Sequence, residues 1–106
     1  MTVNGTKLAM VRGDSESITV QCTPSFVIGD IITFTVRKTV TDPIVIQKTV
    51  STFDNEGKAL IIISPGDTES LDFDDYVYDI QLTSHTGAIM TIIEPSRFRI
   101  KEEVTY

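Results

Sequence analysis

The chain has 106 residues, a formal net charge of −6, a single cysteine and no tryptophan. That length suits one domain held by one core, since a chain of this size buries roughly two thirds of the surface its unfolded form exposes. The acidic balance argues against a nucleic-acid partner, and no apolar run approaches the roughly 18 residues of a membrane helix. A lone cysteine, Cys22, excludes an intramolecular disulfide and points to synthesis in a reducing cytosol. The N-terminus, Met1 to Gly5, has no basic region leading into an apolar one, so no signal peptide is expected. Without secretion, Asn4-Gly5-Thr6 is a chance match to the glycosylation sequon.

A first strand is expected from Lys7 to Arg12, closed by a turn at Gly13-Asp14. A second runs from Ser15 to Cys22, with Ile18, Val20 and Cys22 inward. Cys22 therefore reads as a small apolar packing residue, with a reactive thiol as the lesser alternative. Thr23-Pro24-Ser25 ends the strand, because proline cannot continue a ladder, and Phe26, Val27 and Ile28 tuck onto the core. The third strand, Ile32 to Lys38, alternates Ile32, Phe34 and Val36 inward with Thr33, Thr35 and Arg37 outward. In the fourth, Ile44 to Val50, Lys48 shares a face with Ile46 and Val50, which suits an edge strand. The polar turn Asp54-Asn55-Glu56-Gly57 leads to a fifth strand, Lys58 to Ile63, apolar on both faces.

Ser64 can cap, Pro65 suits a first helical position and Asp67 places charge near the start, so one short helical turn closes onto the core through Leu71. The sixth strand, Asp75 to Thr83, is the central one: Tyr76, Tyr78, Ile80 and Leu82 fall on its buried face. His85-Thr86-Gly87 turns the chain into a seventh strand, Ala88 to Ile93. Pro95 interrupts, and an eighth carries Phe98 and Ile100 inward with Arg97, Arg99 and Lys101 outward. Short strands separated by turns every ~8–12 residues, with no helix long enough for a crossover, indicate a β-sandwich or barrel. Tyr76 stands where immunoglobulin-like sandwiches place a corner tyrosine whose hydroxyl bonds back to nearby backbone; the alternative is that it simply packs. The expected fold class is thus an all-β, immunoglobulin-like antiparallel β-sandwich of seven to eight strands with one short helical turn, residues 1–106 forming a single domain.

Little in the sequence points to catalysis, and no cofactor, metal or catalytic residue is expected. His85, the sole histidine, sits in a turn with no nucleophile pattern near it, a poor setting for a triad. One histidine and one cysteine do not make a zinc site. Asp72, Asp74 and Asp75, with Asp67 and Glu69 before them, match no EF-hand spacing and read as a solvated acidic loop, with calcium as the lesser alternative. Arg12-Gly13-Asp14 is the integrin-binding tripeptide, but here Gly-Asp is what a turn needs. One feature is left over by the core. If Ala59, Ile61 and Ile63 point inward, Leu60 and Ile62 point outward, and Ile89 and Ile93 likewise oppose Met90 and Ile92. Outward aliphatics mark either a subunit interface or a patch under a lid or local twist.

Met10-Val11-Arg12-Gly13-Asp14, Ile32 to Lys38, Ile46 to Val50, Ser64 to Thr68, Tyr76-Val77-Tyr78-Asp79-Ile80-Gln81-Leu82 and Phe98-Arg99-Ile100, ahead of Glu103-Val104-Thr105, together carry a resemblance. The chain resembles the small immunoglobulin-like β-domains of tailed-phage and prophage structural proteins, and most nearly the N-terminal domain of phage upper baseplate proteins. The resemblance implies a non-enzymatic component of baseplate, tail or head. Such a protein is made in the bacterial cytoplasm and assembles into a virion or phage-like particle by docking on other virion or tail proteins, and on itself if Leu60 and Ile62 are an interface. It implies no nucleic-acid contact and no membrane insertion. Upper baseplate proteins continue into further segments, whereas this chain stops at Tyr106, as a stand-alone connector or a piece of a longer protein. The competing expectation is a carbohydrate- or receptor-binding β-sandwich.

Overall fold

The computed structural model describes residues 2–3, 8–21 and 25–102. The expectations for Cys22, Pro24, the Asn4-Gly5-Thr6 sequon and Glu103 to Thr105 lie outside the described residues. The strands are β1 (Thr2–Val3), β2 (Leu8–Val11), β3 (Glu16–Val20), β4 (Ile31–Arg37), β5 (Ile44–Val50), β6 (Ala59–Ile63), β7 (Asp75–Thr83) and β8 (Ile89–Lys101), with a one-turn helix α1 (Pro65–Thr68) between β6 and β7. They form a three-stranded sheet, β1-β3-β6, and a five-stranded sheet, β2-β8-β7-β4-β5. The whole measures 43 × 30 × 21 Å, and the short dimension suits two sheets about 10 Å apart with outer side chains on each. The fold is an all-β sandwich with one small helix.

Alternation builds the core. Ile18 and Val20 of β3, and Ile61 and Ile63 of β6, meet Ile32, Phe34 and Val36 of β4 and Tyr78 and Ile80 of β7 in one buried cluster. Phe34, Tyr78 and Phe98 stack as a triad with centroids 5.6, 6.1 and 6.2 Å apart, a tilted and edge-on geometry that aromatic quadrupoles favour. The sixth expected strand is β7, flanked on both sides by β4 and β8 and thus central.

Four expectations are corrected. The sandwich is not wholly antiparallel: β1 pairs with β3 and β2 pairs with β8 in parallel, because the N-terminal segment changes sheets before the turn at Gly13. Pro95 does not divide two strands. β8 runs unbroken through it, with Glu94 and Pro95 together opposite Asp79. A bulge asks no ladder N–H of the extra residue, so proline fits there. A second bulge at Ile92, between the Ile80–Ile93 and Gln81–Thr91 pairs, reverses the parity, so Ile93 is buried while Ile89 is exposed and the two do not share a face. In the β3–β4 loop Phe26 alone tucks in; Val27 is half-exposed and Ile28 is 96% exposed.

Candidate functional site

The outward aliphatics lie on β6. Its inward residues Ala59, Ile61 and Ile63 are buried, while Leu60 and Ile62 are 51% and 52% exposed. On β3 their cross-strand neighbours are Thr19 and Ser17. No described segment forms a lid over them. Because β6 ends the three-stranded sheet, no strand is paired with its second edge among the described residues, although β5 of the other sheet comes close to it across the sandwich; an unpaired edge is a template for a further strand. The β5 edge of the other sheet is guarded differently. Lys48 on β5 turns inward to Asp67 of α1, 2.8 Å away, a charge placed where strand pairing would bury it. Lys48 first, and then the Ser64 N–H at 2.7 Å, hold the Asp67 carboxyl below the usual carboxylate range.

Tyr76 makes the corner. Its Oη donates to the Asp72 carbonyl at 3.1 Å, four residues back along the chain. Its ring is buried and lies 5.0 Å from Lys38 Nζ. It anchors the start of β7, the strand at the centre of the five-stranded sheet. Tyr78 is buried in the aromatic triad, and burial pushes its phenol upward.

The acidic loop is paired rather than merely solvated. Lys38 Nζ bonds Asp74 and reaches the Asp75 carbonyl at 3.2 Å. Arg99 bonds both Asp75 oxygens, at 2.8 and 3.3 Å, with Arg97 at 3.8 Å. These hydrogen bonds hold Asp74 and Asp75 below the ordinary range. Among the described residues no group of three or more His, Cys, Asp or Glu is arranged around one metal position, and no helix is long and apolar enough to cross a membrane. The Arg12-Gly13-Asp14 turn is braced against α1 and its exit. Gly13 N–H donates to the buried Thr68 hydroxyl at 2.9 Å, Arg12 Nη1 reaches the Leu71 carbonyl at 3.3 Å, and the guanidinium lies 3.9 Å from the Phe73 ring centre. Thr68, which sequence reasoning passed over, is fully buried as the acceptor that seats this turn.

A second surface was not foreseen. The β3–β4 loop, the β5–β6 loop and His85 of the β7–β8 turn enclose an open cleft of about 1010 Å³ at one end of the sandwich. Phe26 and Phe53, with centroids 5.3 Å apart, line its wall, and Asp54 and Glu56 lie on its rim. Two glycines set the loops close together. A Cβ on Gly57 (φ +75) would meet Ser25 Cβ at 2.5 Å, and one on Gly29 (φ +98) would meet His85 Cβ at 2.7 Å. Asp30 ties the loops. It accepts from the Val27 N–H at 3.0 Å and the His85 N–H at 2.8 Å, with His85 Nδ1 at 3.1 Å. Those bonds hold its buried carboxyl below the usual range. His85 keeps the exposed turn position expected of it, yet is anchored to a residue 55 positions away, a separation that no local pattern betrays. No protein-family model matches this chain, and no curated protein sequence matches it.

Proposed function

We propose that this chain is a non-enzymatic structural protein that acts through protein–protein assembly, as a baseplate, tail or head component of a phage or prophage particle. The observation that carries the assembly reading is the half-exposed pair Leu60 and Ile62 on a strand whose outer edge is unpaired among the described residues. An exposed aliphatic pair beside an unpaired strand edge is a surface suited to another protein. The particle assignment rests on the resemblance to immunoglobulin-like phage domains and on the acidic, single-cysteine composition. The test is gradient sedimentation of a host lysate probed with an antibody to the chain. Co-migration with tail-like or virion particles supports the reading, and recovery only at the top of the gradient refutes it.

The loop-end cleft favours a second reading, a carbohydrate- or receptor-binding module. Its aromatics are turned toward the core, Phe26 buried and Phe53 partly so, rather than offered as a flat sugar platform. A glycan array separates the two: specific hits favour the binding module, and silence favours assembly.

A further inference from the structure

We infer that the partner at the β6 edge is a second copy of this chain, paired antiparallel about a two-fold axis through Ile61. The inference rests on the assembly reading above and specifies which surface takes which partner. Edge strands attract other strands because their free N–H and C=O groups are unpaired, and proteins guard such edges with inward charges, proline or bulges. On β5 that guard is Lys48. Within β6, Ala59–Ile63, there is no charge, no proline and no bulge, and its outward face is aliphatic.

The strand is self-complementary in one register. The outward face reads Lys58, Leu60, Ile62, Ser64. Centring the pair on Ile61 sets Leu60 of one copy opposite Ile62 of the other and Ile62 opposite Leu60, so that apolar side chains meet across the seam twice. Lys58, whose charge its own Glu56 meets at 3.1 Å, then falls opposite the uncharged Ser64. A parallel pairing in register would instead set Lys58 against Lys58, and like charges directly opposite are unfavourable. The antiparallel register succeeds whichever alternate set of β6 backbone groups faces the free edge, because the two-fold maps each set onto itself. The product is a six-stranded sheet of order β1-β3-β6-β6-β3-β1 with the inward residues of both copies forming adjoining cores. A two-fold contact of this kind closes on itself and makes a dimer rather than a filament. A five-residue strand per copy falls short of the roughly 1,000 Å² of a permanent interface, so the dimer is reversible.

Sedimentation equilibrium of the wild type from about 10 μM to about 1 mM reads the association directly. The register is read by two outward, exposed substitutions, Leu60→Lys and Ile62→Glu, whose folds are checked by circular dichroism. Each alone weakens the dimer roughly tenfold or more. Mixed in equal amounts they recover a heterodimer. The lysine introduced in one copy then faces the glutamate introduced in the other on one side of the axis, while the native Leu60–Ile62 pair remains on the opposite side. A wild type that stays monomeric throughout overturns the inference, as do single variants that associate like wild type or a mixture that fails to recover. A monomer that still sediments with particles would remove the self-pairing while leaving the assembly reading standing.

Discussion

Removing the hydroxyl of Tyr76 tests whether the corner bond locks β7 in place. In Tyr76→Phe the ring keeps its buried position and its contact with Lys38, 5.0 Å away. What is lost is one hydrogen bond, Oη to the Asp72 carbonyl at 3.1 Å. Asp72 is exposed, so its freed carbonyl finds water, and no buried acceptor is orphaned. The cost is therefore that of one net hydrogen bond, about 1 kcal/mol, without the added penalty of an unsatisfied group. In a domain of this size that lowers the melting temperature by about 4–8 °C. The assay is thermal and urea denaturation followed by far-ultraviolet circular dichroism, with Asp72→Ala as control. The acceptor is a backbone carbonyl, so that control keeps the bond and stays within about 0.5 kcal/mol of wild type. A midpoint for Tyr76→Phe indistinguishable from wild type would refute the corner as a stabilising device. A loss above about 3 kcal/mol would show that the hydroxyl does more than bond one carbonyl.

Phe34→Ala removes one ring of the aromatic triad and costs about 3–5 kcal/mol in urea unfolding, a large fraction of the stability of a domain this size. Asp67→Ala removes both the Lys48 ion pair and the Ser64 N–H acceptor and costs about 1–2 kcal/mol, readable in the same assay. Gly57→Ala meets Ser25 at a positive φ and lowers the melting temperature, whereas Gly66→Ala, with open space and helical backbone, raises stability by about 0.5 kcal/mol. Asp30, Asp54, Asp67, Asp74 and Asp75 all have folded pKa values below their unfolded ones. Their stabilisation is complete above the ordinary carboxylate range near pH 4 and is lost as pH falls through the depressed values. Asp79, pushed upward by burial, contributes with the opposite sign, since protonation relieves its desolvation. Five carboxylates against one make the melting temperature fall steadily from about pH 5 to pH 2, and a flat profile would contradict the pairings.

What could be read from the chain and what could not divides along the reach of each interaction. The faces of β3, β4, β6 and β7 follow from alternation, because a strand's side chains point to opposite sides with period two whatever lies beyond them. Leu60 and Ile62 were recognisable as outward for the same reason, and Tyr76 as a corner from its place after the helical turn. β8 defeated that reading. One extra residue at Ile92 and another at Glu94–Pro95 reverse the parity, and bulges arise from pairing with β7 rather than from any signature in β8 itself. The short β1, Thr2–Val3, was missed because two residues carry no period.

The amino-acid sequence by itself determined the class of the fold, the inward set of most strands and the apolar outer face of β6, because these depend on neighbours two to four residues away. Only the tertiary structure decided the sheet order, the parallel pairings of the N-terminal segment and the unguarded edge of β6. It also decided the bracing of Arg12-Gly13-Asp14 by Thr68 and the cleft held by Asp30 and His85. Those features join residues as many as 59 positions apart. Contacts at such a distance are set by how two sheets pack, and packing has no local period to leave in the chain.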